Sequence, residues 1–146
     1  MEKNLYCEKS ILIHATEGEI WDVLTNPEKI PLYMFGSVVD TDWKPGSPIT
    51  FSRNFNGSRY VDKGKIIDYQ MEKVLKFSYW SSQEGYEDIP ENYSVIMYSI
   101  QKKKDESCEL TYRRDKIPIE IERVNQEKYL PLLMEGIKSL AENGNE

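Results

Sequence analysis

The sequence predicts an α+β fold. About seven strands form a curved antiparallel sheet round a long C-terminal helix, and two short helices follow the first strand. Three observations carry this. Turn signals recur through the middle of the chain, at Lys44-Pro45-Gly46, at Asn56-Gly57, at "MEK" (71–73) and at the lysine run 102–104. The apolar period then changes from two to three-and-four over the final segment. Two helix-start signals crowd between the first strand and the hairpins.

Each element has a local reason. "NLYCEKSILIH" (4–14) reads as a strand. Thr16 and Glu19 form a capping box that starts a helix carrying Ile20, Trp21, Val23 and Leu24. Asn26 as cap and Pro27 at the first helical position start a second helix, expected from about residue 27 to Met34. "SVVDTDW", "SPITFSRNF", "SRYVDKGKIIDYQ", "VLKFSYW", "YSVIMYSIQ" and "CELTYRRD" follow as strands, with a longer polar loop over 81–92. Consecutive hairpins make the sheet antiparallel. Ile121, Val124, Leu130, Leu133, Met134, Ile137, Leu140 and Ala141 then mark an amphipathic helix. Pro131 inside it predicts a kink or a late start. Gly136 weakens the helix by about 1 kcal/mol relative to Ala.

The 146 residues suit one domain, 1–146, with a core that needs no staples. A net charge of −6 argues against nucleic acid, which needs a basic footprint. The one basic run is followed by Asp105 and Glu106 and reads as a solvated hairpin tip. Cys7 and Cys108 are too few for a disulfide framework. No stretch reads as a signal peptide or a membrane span, which predicts a cytoplasmic protein with reduced thiols.

Strand alternation sorts the faces. Leu75, Phe77 and Tyr79 share one face, as do Cys108, Leu110 and Tyr112, and Ile49 and Phe51. These sets are assigned to the concave side, toward the helix. Tyrosines among them are informative, because a buried hydroxyl needs a partner. Arg53 and Arg114 continue the same parity. Either they point inward, where a guanidinium fork suits an anionic ligand head, or the strands have reached solvent by then, which is the reading favoured for strand ends.

"ILIHATEGEIWDVLTNPEKI" resembles the opening of the SRPBCC superfamily, also called START-like or helix-grip. More narrowly it is similar to the family named for the C-terminal domain of the activator of heat-shock protein 90 ATPase. The matching positions are Ala15, Glu19, Ile20-Trp21 and Leu24-Thr25-Asn26-Pro27-Glu28. "DTDWKPGSPITF" and "GKIIDYQMEKVLKFSYW" resemble its hairpins, and "EDIPENYSVIMYSI" resembles the loop and strand of a bacterial branch. Leu130, Met134 and Ile137 fall where the family has Trp-x-x-x-Leu-x-x-Leu, so Leu130 departs from the pattern. The resemblance implies a helix-grip fold with a cavity between sheet and long helix. It also implies that the first and last strands pair, in which case Cys7 and Cys108 could be near neighbours.

Metal and nucleophilic chemistry find little footing. Cys7 and His14 lie seven apart on one strand and so face opposite sides. His14 is the sole histidine and reads as a surface or cap residue, and the two thiols read as buried and inert. No paired carboxylates, phosphate loop or cofactor fingerprint is visible, so no cofactor is expected and no catalytic residue is assigned. The expected function is binding of a small, mainly apolar, aromatic or lipid-like ligand, as carrier or sensor. The strands would line the site with Trp43, Phe51, Phe77, Tyr79, Met97 and Tyr112, and the helix with Leu133 and Ile137. Arg53 and Arg114 are its possible polar anchors. One alternative is a co-chaperone-like regulator of a chaperone ATPase, as the family name suggests. Another is a cyclase- or hydrolase-like enzyme that uses the same cavity.

Overall fold

A computed structural model describes residues 5–143. Seven strands form one antiparallel sheet: β1 (Cys7–Ile13), β2 (Val38–Asp40), β3 (Pro48–Phe55), β4 (Ser58–Gln70), β5 (Val74–Ser81), β6 (Ser94–Lys102) and β7 (Cys108–Asp115). Their order in the sheet is β1-β7-β6-β5-β4-β3-β2. Helices α1 (Glu17–Thr25) and α2 (Ile30–Tyr33) follow β1, and α3 (Glu120–Asn143) closes the chain. The expected helix-grip architecture is therefore what the chain adopts.

Local chemistry explains most boundaries. Thr16 Oγ1 accepts from the Glu19 N–H at 3.1 Å and Glu19 Oε1 accepts from the Thr16 N–H at 2.9 Å, so the capping box is complete. Asn56 and Gly57 take φ of 51° and 78°, as a type I′ turn requires. The helix expected from residue 27 is shorter, because Asn26 Oδ1 accepts from the Glu28 N–H and holds 27–29 in a turn. The strand expected over 37–43 shrinks to β2, because Trp43 takes φ 63° and leaves the extended region.

Pro131 does not delay α3, which begins upstream at Glu120 and runs through it. Gly136 does more than weaken the helix. A Cβ there would stand 3.2 Å from the Cβ of Tyr33, so the missing side chain lets α2 seat closely on α3. Gly64 has a harsher constraint. Its added Cβ would lie 1.7 Å from the Ser78 carbonyl oxygen, so only glycine lets β4 pass β5 there. A register shift between Ile66 and Asp68 bends the same strand further.

β1 pairs with β7, but Cys7 sits opposite Arg114 and Cys108 opposite Ile13. The two thiols lie at opposite ends of the ladder, about 20 Å apart at the usual strand rise. They are free and buried and are not neighbours. The core collects the inward face of the sheet, including Ile49, Ile66, Leu75 and Leu110, with Ile20 and Leu24 of α1 and Leu130, Leu133, Met134 and Ile137 of α3. It thins toward the first turns of α3, where a cavity opens.

Candidate functional site

The cavity has a volume of about 610 Å³ and lies between the concave face of the sheet and α3. Its size suits a drug-sized organic molecule. The apolar wall comes from alternate residues of neighbouring strands: Ile49 and Phe51 of β3, Leu75 and Phe77 of β5, and Ile96 of β6. Leu24 of α1, Ile30 of α2 and Leu133 of α3 close it from the helical side. Phe51 packs its ring 5.7 Å from Phe77 and 6.1 Å from Tyr79. Phe35 and Phe55 border the cavity while remaining largely exposed.

Trp43 also borders it, half-buried, with its ring 6.3 Å from Tyr69. Tyr69 in turn accepts from Trp21 Nε1 at 3.1 Å, so α1 braces the hairpin that carries Trp43. The left-handed backbone at Trp43 costs about 1 kcal/mol. That conformation aims an indole at the end of β2 into the cavity wall.

Polar groups gather at one end. Asp62 of β4 is 2% exposed. Its Oδ2 accepts from Tyr79 Oη at 2.5 Å and lies 3.5 Å from Arg53 Nη1, while its Oδ1 has no partner among the described residues. Arg114 of β7 is 4% exposed and donates three hydrogen bonds. Nε donates to Ser94 Oγ at 2.8 Å, Nη1 to Gln126 Oε1 at 2.8 Å and Nη2 to Glu122 Oε1 at 2.5 Å. Its guanidinium also lies over the Tyr79 ring, 5.1 Å from the centroid. Tyr86 donates to the other oxygen of Glu122. Arg53 donates to Gln83.

Tyrosines line the middle. Tyr98 and Tyr112 face each other across β6 and β7 with ring centroids 5.2 Å apart, edge to face. Both are buried, both border the cavity, and neither hydroxyl has a hydrogen-bond partner among the described residues. Burial pushes both phenols well above their ordinary value, as it does for Tyr33 and Tyr79. Burial also raises Tyr129 to about 12. At neutral pH all five are protonated, so each carries a hydroxyl that can donate as well as accept a hydrogen bond. Glu84, at the rim, is raised first by desolvation and then by Glu122.

Of the residues expected to line the site, Trp43, Phe51, Phe77, Tyr79, Tyr112 and Leu133 border the cavity, and so do Arg53 and Arg114. Two do not. Met97 lies on the opposite face of β6, between Lys76 and Arg113 in the flanking strands. Val95 and Met97 on one face and Ile96 and Tyr98 on the other are all apolar or aromatic, so alternation alone does not choose between them. Ile137 is fully buried, but it sits a turn beyond Leu133 in the filled core. The expectation that the strands have reached solvent at the arginines fails for Arg114, because the first turn of α3 covers the end of β7.

Asp62, Glu122 and Tyr98 were not anticipated as site residues. The signals existed. Asp62 shares its strand face with Gly64 and Ile66, and Glu122 and Gln126 extend the Leu130–Leu133 stripe of α3 backward. Among the described residues, no three His, Cys, Asp or Glu side chains converge to hold a metal. His14 is exposed, and its N–H donates to Glu142 Oε2 at 2.9 Å. No described helix is long and apolar enough to cross a membrane.

The fold has known relatives. The solution structure of ChR145 from Cytophaga hutchinsonii is 34% identical with a TM-score of 0.83, covering 99% of this chain and 98% of that one. The crystal structure of an HSP90 activator from Plasmodium falciparum is 15% identical with a TM-score of 0.66, over 84% of this chain and 86% of that one. The Aha1 dimer from Colwellia psychrerythraea is 14% identical with a TM-score of 0.70, over 97% and 98%. No curated protein is similar enough to count as a match. The model of one family, described as activator of Hsp90 ATPase homolog 1-like protein, matches residues 14–142, and the chain belongs to that family.

Proposed function

We propose that the protein binds a small, mainly apolar molecule in the cavity between sheet and α3, as a carrier or sensor. One observation carries this reading: an apolar-walled space of about 610 Å³ is bordered by the Tyr98 and Tyr112 side chains and by Asp62, whose buried Oδ1 lacks a partner among the described residues. A core made only for stability satisfies its buried polar groups. Here aromatic bulk and unsatisfied polar groups converge on the same space, which is the composition of a ligand site. A ligand that binds only the folded state raises Tm. Fractions of a lipid and aromatic-metabolite extract are expected to raise Tm, and the rise is expected to shrink in Phe77→Ala. No rise with any fraction would count against the reading.

A second reading, regulation of a chaperone ATPase, draws support from the family's description and from the similarity in fold to an HSP90 activator of Plasmodium falciparum. Exposed Leu32, Phe35, Phe55 and Leu132 offer apolar contact area to a protein partner. The measurement is the ATPase rate of the host chaperone with saturating protein, and an unchanged rate ends this reading.

A further inference from the structure

We infer that the cavity takes an uncharged ligand, an apolar body that donates a hydrogen bond from a hydroxyl or N–H at the Asp62 end, and that it rejects carboxylates and other anions. This rests on the carrier reading above.

Charge balance comes first. Two guanidinium groups, Arg53 and Arg114, face three carboxylates, Asp62, Glu122 and Glu84, at the polar end. Both cations already have partners in the fold. Arg114 is held by Ser94, Gln126 and Glu122, and Arg53 by Asp62 and Gln83. A carboxylate entering here would lie beside Asp62, Glu122 and Glu84, which already outnumber the two guanidinium groups. A buried charge without a partner is strongly disfavoured. The inward arginines therefore do not form an anion hole, although their residue type suggested one.

The unpartnered groups say what the site accepts. A carboxylate oxygen only accepts, so Asp62 Oδ1 calls for a donor. Its partner oxygen already has Tyr79 and Arg53. Farther along the cavity, the protonated Tyr98 and Tyr112 hydroxyls both donate and accept. They match a neutral carbonyl, ether or hydroxyl in the ligand body. A site built round a hydrogen-bonded hydroxyl rejects the analogue that lacks it, because its own polar groups are then left unpaired.

The test is calorimetric titration of the wild-type protein at neutral pH with 4-heptylphenol, 4-heptylanisole and 4-heptylbenzoate. These share a body and differ in the polar end: a neutral donor, a neutral group without a donor, and an anion. The phenol is expected to bind at least tenfold tighter than either of the others. Anisole as tight as phenol, or benzoate tightest, overturns the inference and leaves the carrier reading standing. Binding of none of the three counts against the carrier reading itself and takes this inference with it. In Asp62→Asn, confirmed folded by circular dichroism, the phenol preference is expected to narrow and benzoate binding to improve, because Arg53 loses its acid. An unchanged ranking in that folded variant would overturn the role given to Asp62.

Discussion

Arg114 on β7 and Glu122 in the first turn of α3 meet as an ion pair at 2.5 Å, with 5% and 4% of their side chains exposed. The pair joins the end of the last strand to the start of the long helix and forms part of the cavity's polar end. Breaking a buried pair from one side leaves an uncompensated charge and costs about 3–5 kcal/mol. Arg114→Met alone is expected to lose stability on that scale. Arg114→Met with Glu122→Leu is expected to recover most of the loss, because apolar replacement of both partners is often close to neutral. Urea unfolding of the two singles and the double measures this. Additive losses in the double would contradict it.

Phe77 separates packing from binding. It is 5% exposed, yet it borders the cavity. A Phe→Ala truncation in a filled core costs about 3–5 kcal/mol. At a wall with space already beside it, the expected loss is below about 3 kcal/mol. Uptake of 4-heptylphenol should weaken at least tenfold. Denaturant unfolding and titration on the same preparation check both halves.

Two glycines are expected to behave oppositely when replaced by alanine. Gly64→Ala sets a Cβ 1.7 Å from the Ser78 carbonyl oxygen, a backbone atom that cannot step aside. The loss is expected to reach about 3 kcal/mol or more. Gly136→Ala meets the Tyr33 Cβ at 3.2 Å, a mild crowding set against the gain in helix propensity of about 1 kcal/mol. The net change at Gly136 is expected to stay within about 1 kcal/mol of zero. Thermal unfolding of both variants distinguishes them.

Two glutamates give pH dependences of opposite sign. Glu142 is held below its ordinary value by its hydrogen bonds with Lys138 and with the N–H of His14. Its contribution is present above the unfolded value and is lost as pH falls through the folded one. Glu142→Gln is therefore expected to lower Tm at pH 7, with the difference vanishing in acid. Glu84 is raised by desolvation and by Glu122, so ionising it opposes folding once pH passes its unfolded value. Glu84→Gln is expected to raise Tm at pH 7 and to leave it unchanged in acid. Melting curves from pH 3 to pH 8 test both signs.

Most of the fold was legible because its signals are local. The Thr16–Glu19 box, the Asn56-Gly57 turn and the change of period over the final segment each act within a few residues. The α2 boundary was not, because Pro27 suits either a turn or a helix start and the Asn26 side chain decides between them. Within the site, alternation found Phe51, Phe77, Tyr79 and Tyr112, where one face is clearly more apolar than the other. It failed at Met97, where both faces of β6 are apolar. The charged end was hardest to read. Glu122 and Arg114 look like surface residues until a helix and a strand end are brought together, and that contact is set by the tertiary fold. The second role of Gly136 was hidden for the same reason, because it depends on Tyr33, more than a hundred residues away.

The measurement that bears most directly on the cavity's purpose is native mass spectrometry of the protein purified from its own host, set beside the denatured mass. A reproducible extra mass that disappears on denaturation is the predicted result, and fragmentation of the released molecule should show an uncharged compound with a hydroxyl or N–H group. A clean apo mass, with no uptake from a lipid and aromatic-metabolite extract, would contradict the account and leave the space between sheet and α3 without a small-molecule role.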